Sequence, residues 1–320
     1  MTNCSSALAA ALMLSASAAV AQTSPPAPLE PGRPLGVVAN GAYTPMTSRV
    51  KVFGSFANAE SCSYDTTRNL IVVPSRGAEQ NQIPNDGFVS LINHDGSVHT
   101  VRWIGENRTG LTLNHPAGSD IQNGKLYLAD RDGGTAPNVP SVAVIRIFDM
   151  TTGAPAGEIR VPDSPGINDV AVARDGTIYG TQTRDGPFRI YRITPDGRIS
   201  VFKEGAPLNE PNGVALDPKG NIVVVNIGDN AVMTFAPSGQ VLAVEQAAQP
   251  GNDGLVITAD GTKYVSSVRN GGISRIRAGA RAELIAQAIP SAASMCFDPV
   301  ANQLVVPMNP NNALAFVKLD

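Results

Sequence analysis

Four oxygen-bearing residues, Glu60, Asn168, Asn212 and Asp253, recur at one place in a repeated stretch of this sequence. Two carboxylates and two carboxamides are hard donors, which suit Ca²⁺, Mg²⁺ or Mn²⁺ better than a soft, thiolate-rich site would. Without a cation, two carboxylates brought together repel and one of them is pushed to a raised pKa, so an ion is the simplest way to stabilise the set. Taken singly, Asn and Asp before Gly are ordinary turn residues that bond their own backbone. The four become a candidate metal site through their common register.

That register comes from the repeat. The turn glycines Gly176, Gly220 and Gly261 each stand eight residues after Asn168, Asn212 and Asp253. Asp65 follows Glu60 at the offset that Asp217 has from Asn212, and Asp298 keeps the same offset from Ala293. Residues 115–130, HPAGSDIQNGKLYLAD, keep the second half of the unit and blur its start near Ala117. Six units about 40 to 57 residues apart, each with several short β-forming runs, predict an all-β, six-bladed β-propeller. The innermost strand of every blade lines the central channel, so equivalent positions form a ring. The four oxygen donors then converge at one end of it.

The remaining elements fit that ring. Residues 50–56 alternate like an outer strand without a blade of its own, while the last unit has strands at 303–308 and 313–319 and stops before a fourth. Pairing of the N-terminal strand with the last blade would close the ring and remove the exposed edges. The turns His94-Asp95-Gly96, Pro195-Asp196-Gly197 and Pro237-Ser238-Gly239 are hairpin signals on one face of the disc, which leaves His94 and His99 as solvent residues there. The long connections 75–87 and 131–141 fall on the opposite, donor-bearing face, where they would wall a pocket.

A hydrophobic content of 42% with 16% charged residues fits a chain with a large core and excludes disorder, and the propeller domain takes residues 49–320. A net charge of −3 and 5% aromatics offer neither a basic field nor stacking platforms for nucleic acid. Residues 7–21 are apolar, too short to cross a bilayer, and end in Ala19-Val20-Ala21; although MTNCSS before them lacks Lys and Arg, 1–21 reads as a signal peptide cut after Ala21. The mature chain then has no membrane span and is periplasmic or secreted, and 22–48 reads as a Pro-rich linker. Cys4 leaves with the leader; Cys62 and Cys296 lie on inner strands of blades that become neighbours on closure. A bridge needs Cα atoms within about 7 Å and packed sheets stand about 10 Å apart, so two separate buried thiols are expected.

The motifs Ile167-Asn168-Asp169, Pro211-Asn212-Gly213 and Asp253-Gly254, with Glu60 in the first blade and Ser294-Met295-Cys296-Phe297 in the last, resemble those of the senescence-marker-protein/gluconolactonase/luciferin-regenerating-enzyme family over residues 50–320. The resemblance implies one divalent cation in the channel, Ca²⁺ foremost with Mg²⁺, Mn²⁺ or Zn²⁺ as alternatives, held by Glu60, Asn168, Asn212 and Asp253. It implies metal-dependent hydrolysis of a small lactone or related ester, with Asp253 as general base and Glu60 as second choice. Asn168 and His115, in LNHPAGSD, are the candidate substrate-binding residues; the plainer reading of His115 is a loop residue capping backbone groups beside Pro116. Sugar-lactonase members often carry Arg two residues before the blade-3 Asn, where this chain has Gly166, which points away from a sugar-acid lactone. A binding propeller with a structural cation and a metal-dependent lyase or isomerase are the alternatives, and oligomeric state stays open. No phosphate loop, serine elbow or Cys/His metal spacing supports another catalytic class.

Overall fold

The computed structural model describes residues 36–320 apart from 40–41, 48, 55, 79–82, 106–107, 109 and 137. The expected leader, 1–21, and residues 22–35 of the expected linker lie outside the described residues. Further along the linker the structure differs from expectation: Gly36–Ala39 and Ala42–Pro45 pair as an antiparallel hairpin. The prolines pause between Pro34 and Pro45, and Asn40-Gly41 between β-forming residues is a two-residue hairpin signal.

Six four-stranded antiparallel sheets follow. Blade 1 is built from Ser63–Asp65, Leu70–Ser75, Phe88–Ile92 and Val98–Gly105. Blade 2 runs from Ser119–Gln122 to Pro155–Val161, blade 3 from Val170–Val172 to Ile199–Glu204, blade 4 from Pro211–Leu216 to Val241–Gln246, and blade 5 from Asn252–Ile257 to Glu283–Ala286. Blade 6 has Cys296–Asp298, Gln303–Met308 and Ala313–Lys318, and its outer position is taken by Val50–Gly54, which pairs antiparallel with Ala313–Lys318. A single turn of 3-10 helix, Asn309–Asn311, is the only helical element among the described residues.

Each sheet is apolar on both faces, because each packs against two neighbours. In blade 4, Ile222 and Val224 join the cluster shared with blade 3, while Val223 and Val225 join the cluster shared with blade 5. In blade 1, Leu70 and Val72 face blade 2, and Ile71 and Val73 face blade 6. Successive strand residues point to opposite faces, so a sheet buried on both reads as an unbroken β-branched run such as Ile-Val-Val-Val. The repeated turns share their chemistry: Gly176, Gly220 and Gly261 sit at φ +89°, +80° and +82°, where residues other than Gly are strained.

The seam between blades 6 and 1 joins the two ends of the propeller. Here Cys62 and Cys296 are bridged, with Cα atoms 5.4 Å apart, which corrects the expectation of two separate thiols. The 10 Å sheet spacing describes packed faces, whereas the innermost strands converge toward the axis and approach more closely. The same seam corrects the reading of His94: its Nδ1 lies 2.9 Å from Asp298 Oδ1, and its carbonyl accepts from Gln303 Nε2 at 2.7 Å. The turn of blade 1 is therefore tied to the inner hairpin of blade 6.

Closing a loop 234 residues long, the bridge restricts the unfolded chain strongly. Replacing both cysteines by serine is expected to cost about 2–5 kcal/mol. Chemical denaturation of the oxidised wild type and the double variant measures it; equal midpoints would show that the seam holds without the bond.

Candidate functional site

In four blades the first strand enters the channel with one recurring backbone contact. Glu60 N–H donates to Pro74 O, Ala117 N–H to Ala129 O, Asn168 N–H to Thr181 O and Ala293 N–H to Pro307 O. These bonds make the four positions equivalent and resolve the blurred start of blade 2 to Ala117. The bridges Pro211↔Asn226 and Asn252↔Ser267 put Asn212 and Asp253 in the same place in blades 4 and 5. Glu60, Asn168, Asn212 and Asp253 all line one cavity of about 470 Å³, and His115 lines it too. Glu60, Asn212 and Asp253 are buried.

The glycines after Asn212 and Asp253 serve the ring and are not turn residues. A Cβ on Gly254 would lie 2.7 Å from Met295 N and 2.8 Å from Ala293 O, and one on Gly213 would run into the carbonyl of Asp253. The inner strand of the next blade occupies that space. Side-chain hydroxyls make further links in the same direction, with Thr181 Oγ1 donating to Asn212 O at 2.5 Å and Ser266 Oγ to Ala293 O at 2.8 Å.

A second ring, not singled out in the sequence, stands above the first. Two residues past the accepting carbonyls come Arg76, Arg131, Thr183 and Asn309, with Ile227 and Val268 at the matching places in blades 4 and 5. All six line the cavity. They follow the first ring by 14 to 16 residues, depending on the intervening turn, so a register anchored on the first strand loses them. The long connections contribute through their bases: Arg76 and Arg131 line the cavity, and residues 131–133 continue the second strand of blade 2.

The electrostatics of the first ring are unbalanced. Arg76 Nη2 lies 2.5 Å from Glu60 Oε1, and Asn309 Nδ2 donates to Glu60 Oε2, so both oxygens of Glu60 have partners. Asp253 is pushed well above the usual carboxylate range, first by burial and then by the charge of Glu60, with Arg76 and Arg184 pulling the other way. Asp253 Oδ1 and Asn212 Oδ1 are buried without a hydrogen-bond partner. Buried oxygens in that condition are costly, and a hard cation is the ligand that two such oxygens and a neighbouring carboxylate fit. Among the described residues no group of three or more His, Cys, Asp or Glu could hold an ion, so a cation here depends on the carboxamides of Asn168 and Asn212.

His115 is lowered to about 2 by burial and then by Arg76 and Arg131, which keeps its imidazole neutral. Its backbone N–H donates to Asp130 Oδ1 at 2.6 Å, while its Nδ1 is buried without a partner. Asp169, next to Asn168, serves the opposite mouth of the channel, where it and Asp120 line a second cavity of about 850 Å³. Asp169 accepts from Val170 N–H and Val214 N–H, both at 2.9 Å, which couples blade 3 to blade 4. Burial raises it to about 7. Asp120 plays the same part between blades 2 and 3, accepting from Val172 N–H at 2.7 Å, and burial raises it to about 6.

Six sheets around a channel whose first ring carries two carboxylates and two carboxamides define a propeller with a polar site at one mouth. The chain belongs to the SMP-30/gluconolactonase/LRE-like family, whose model matches residues 59–307. Among solved structures, a gluconolactonase from Xanthomonas campestris is similar at 18% identity, with a TM-score of 0.59 over 94% of this chain and 99% of the other. A virginiamycin B lyase from Staphylococcus aureus is similar at 15% identity, with a TM-score of 0.59 over 85% and 99%. No curated protein sequence matches the chain. These likenesses show the propeller fold, and the family makes it a lactonase-like one.

The raised Asp120 carries a sign that can be measured. Its folded-state value of about 6 exceeds the unfolded 3.8, so its contribution to stability is fully present below pH 4 and is lost as pH rises through 6. Asp120→Asn keeps an oxygen to accept from Val172 and removes that titration. Melting temperatures between pH 4 and 7.5 are expected to fall less steeply with rising pH in the variant; an unchanged slope would rule the effect out.

Proposed function

We propose that this chain is an exported, divalent-metal-dependent hydrolase that opens a small lactone or related ester. The observation that carries the reading is the convergence of Glu60, Asn168, Asn212 and Asp253 on one cavity, with the side-chain oxygens of Asn212 and Asp253 buried and unpartnered. Those four residues would hold the cation, with Ca²⁺ as the first candidate and Mg²⁺, Mn²⁺ or Zn²⁺ next. When bound, it supplies Lewis acidity to the substrate carbonyl and offsets the charge that develops on its oxygen.

The protein's own groups do the rest. Asp253 takes a proton from the attacking water as the new bond forms to the carbonyl carbon. The ring C–O bond then breaks, and the proton on Asp253 passes to the departing alkoxide, giving the hydroxy acid and restoring the carboxylate. Glu60, fixed by Arg76 and Asn309, is better placed to hold charge than to carry protons. Neutral His115 offers the substrate a hydrogen bond and not an acidic proton, and Asn168 shares that orienting role. Gly166 lines the cavity with open space over it, since an added Cβ meets nothing within 4 Å.

Export is supported by the Cys62–Cys296 bridge, because disulfides persist in oxidising compartments, and by the leader expected at 1–21. The second reading is a lyase on the same site, favoured by the likeness to virginiamycin B lyase.

A lactone panel is to be tested after chelation and again with Ca²⁺, Mg²⁺, Mn²⁺ or Zn²⁺ restored. Activity is expected to return with a cation and to fall about 100-fold or more in Asn212→Ala. Asp253→Asn is expected to lose about 10²–10⁴ in kcat. Retained turnover in Asp253→Asn would remove the base assignment. Labelled oxygen from water in the product identifies a hydrolase; a product without it, carrying a new double bond, identifies the lyase.

A further inference from the structure

The second ring is uneven around the channel. Blades 1 and 2 bring Arg76 and Arg131 and blade 3 brings Thr183, with Arg184 beside it also lining the cavity, whereas blades 4 and 5 bring Ile227 and Val268 and blade 6 brings Asn309. The three guanidiniums gather on one side, among Glu60, Asp130 and Asp185, and the two aliphatic side chains stand on the other, above Asn212 and Asp253.

The acids of the cavity do not cancel the guanidinium charge once the first ring holds a cation. Glu60 is matched by Arg76, and Asp130 is paired from outside the cavity with Arg146, whose Nε lies 3.0 Å from Asp130 Oδ2 and which also pairs with Asp132 and Glu158. Asp130 is also committed to the backbone N–H groups of Asn114 and His115. Arg131 and Arg184 then stand against Asp185 and Asp253, and a divalent ion taken by Asp253 leaves the cavity net positive. The guanidinium of Arg131 is destabilised first by burial and then by Arg76, while Asp185 and Asp130 work the other way. A cavity of about 470 Å³ has room for a small bicyclic or substituted monocyclic molecule.

We propose that the substrate carries a carboxylate in addition to the scissile lactone or ester, bound on the Arg131 and Arg184 side, with its apolar part against Ile227 and Val268. This rests on the hydrolase reading for the bond that breaks, and on its cation, though not on its hydrolysis, for the anion preference. The guanidiniums supply charge-assisted hydrogen bonds, and Arg matches carboxylate geometry in a way that sugar hydroxyls do not require. Gly166 leaves the blade-3 side open for the substituent.

The test pairs a γ-lactone bearing a ring carboxylate with its neutral carboxamide, and pairs the corresponding cyclic ethers, which have no scissile carbonyl, for calorimetry on the Ca²⁺-loaded protein. The carboxylate ether is expected to bind about 10- to 100-fold more tightly than the carboxamide, and the carboxylate lactone to show a comparable advantage in kcat/KM. The preference is expected to collapse in Arg131→Gln and Arg184→Gln and to survive in part in Arg131→Lys, which keeps the charge. Circular dichroism checks the fold of each variant, and the wild-type comparison stands without them. Equal binding of the two ethers overturns the anion preference whether or not either lactone is hydrolysed. A strong preference with neither lactone hydrolysed keeps the anion site and removes the hydrolase.

Discussion

A blade of this protein is a sheet with two apolar faces, and neither can be left in water. Each face is covered by the neighbouring blade, so six separate clusters fill six seams and none of them is complete without the next. That condition is met for every blade only by a ring. The first and last blades meet at a seam holding Phe56, Cys62, Cys296 and Phe316, with the disulfide inside it.

A ring has an axis, and the innermost strands must crowd around it. The crowding explains features that would look unrelated in a flat sheet: glycines at 213 and 254 where the next backbone leaves no room for a Cβ, and carboxylates at 120 and 169 that reach across to the N–H groups of the neighbouring blade. It also brings polar groups from several blades into one buried space. At one mouth the acids are satisfied by backbone donors. At the other, Asp253 and Asn212 keep oxygens without partners, and that imbalance distinguishes a site from a seam.

Around that site the wall is divided in charge and polarity, because each blade contributes its own residue at each level. The ring symmetry of the backbone sets where side chains can enter. The asymmetry of what enters, Arg on blades 1 and 2, Thr183 beside Arg184 on blade 3, and Ile and Val on blades 4 and 5, gives the cavity its direction.

Much of the architecture was legible in the chain itself. The eight-residue interval from Asn168, Asn212 and Asp253 to their turn glycines is fixed because these three blades share one tight turn, and with the offsets of Asp65 and Asp298 it carried the blade count and the first ring. Short β-forming runs such as Ile222–Val225 marked the strands, while their burial on both faces came with the structure. The second ring was not legible, because the turns before it vary in length and shift its members by one or two residues. Asp169 escaped because its neighbour Asn168 carried the register while the carboxylate beside it serves the other mouth. The bridge between Cys62 and Cys296 and the contact of His94 with Asp298 depend on how closely inner strands approach at the axis. Sequence intervals record the geometry within a blade; distances between blades come from packing, which only the assembled ring decides.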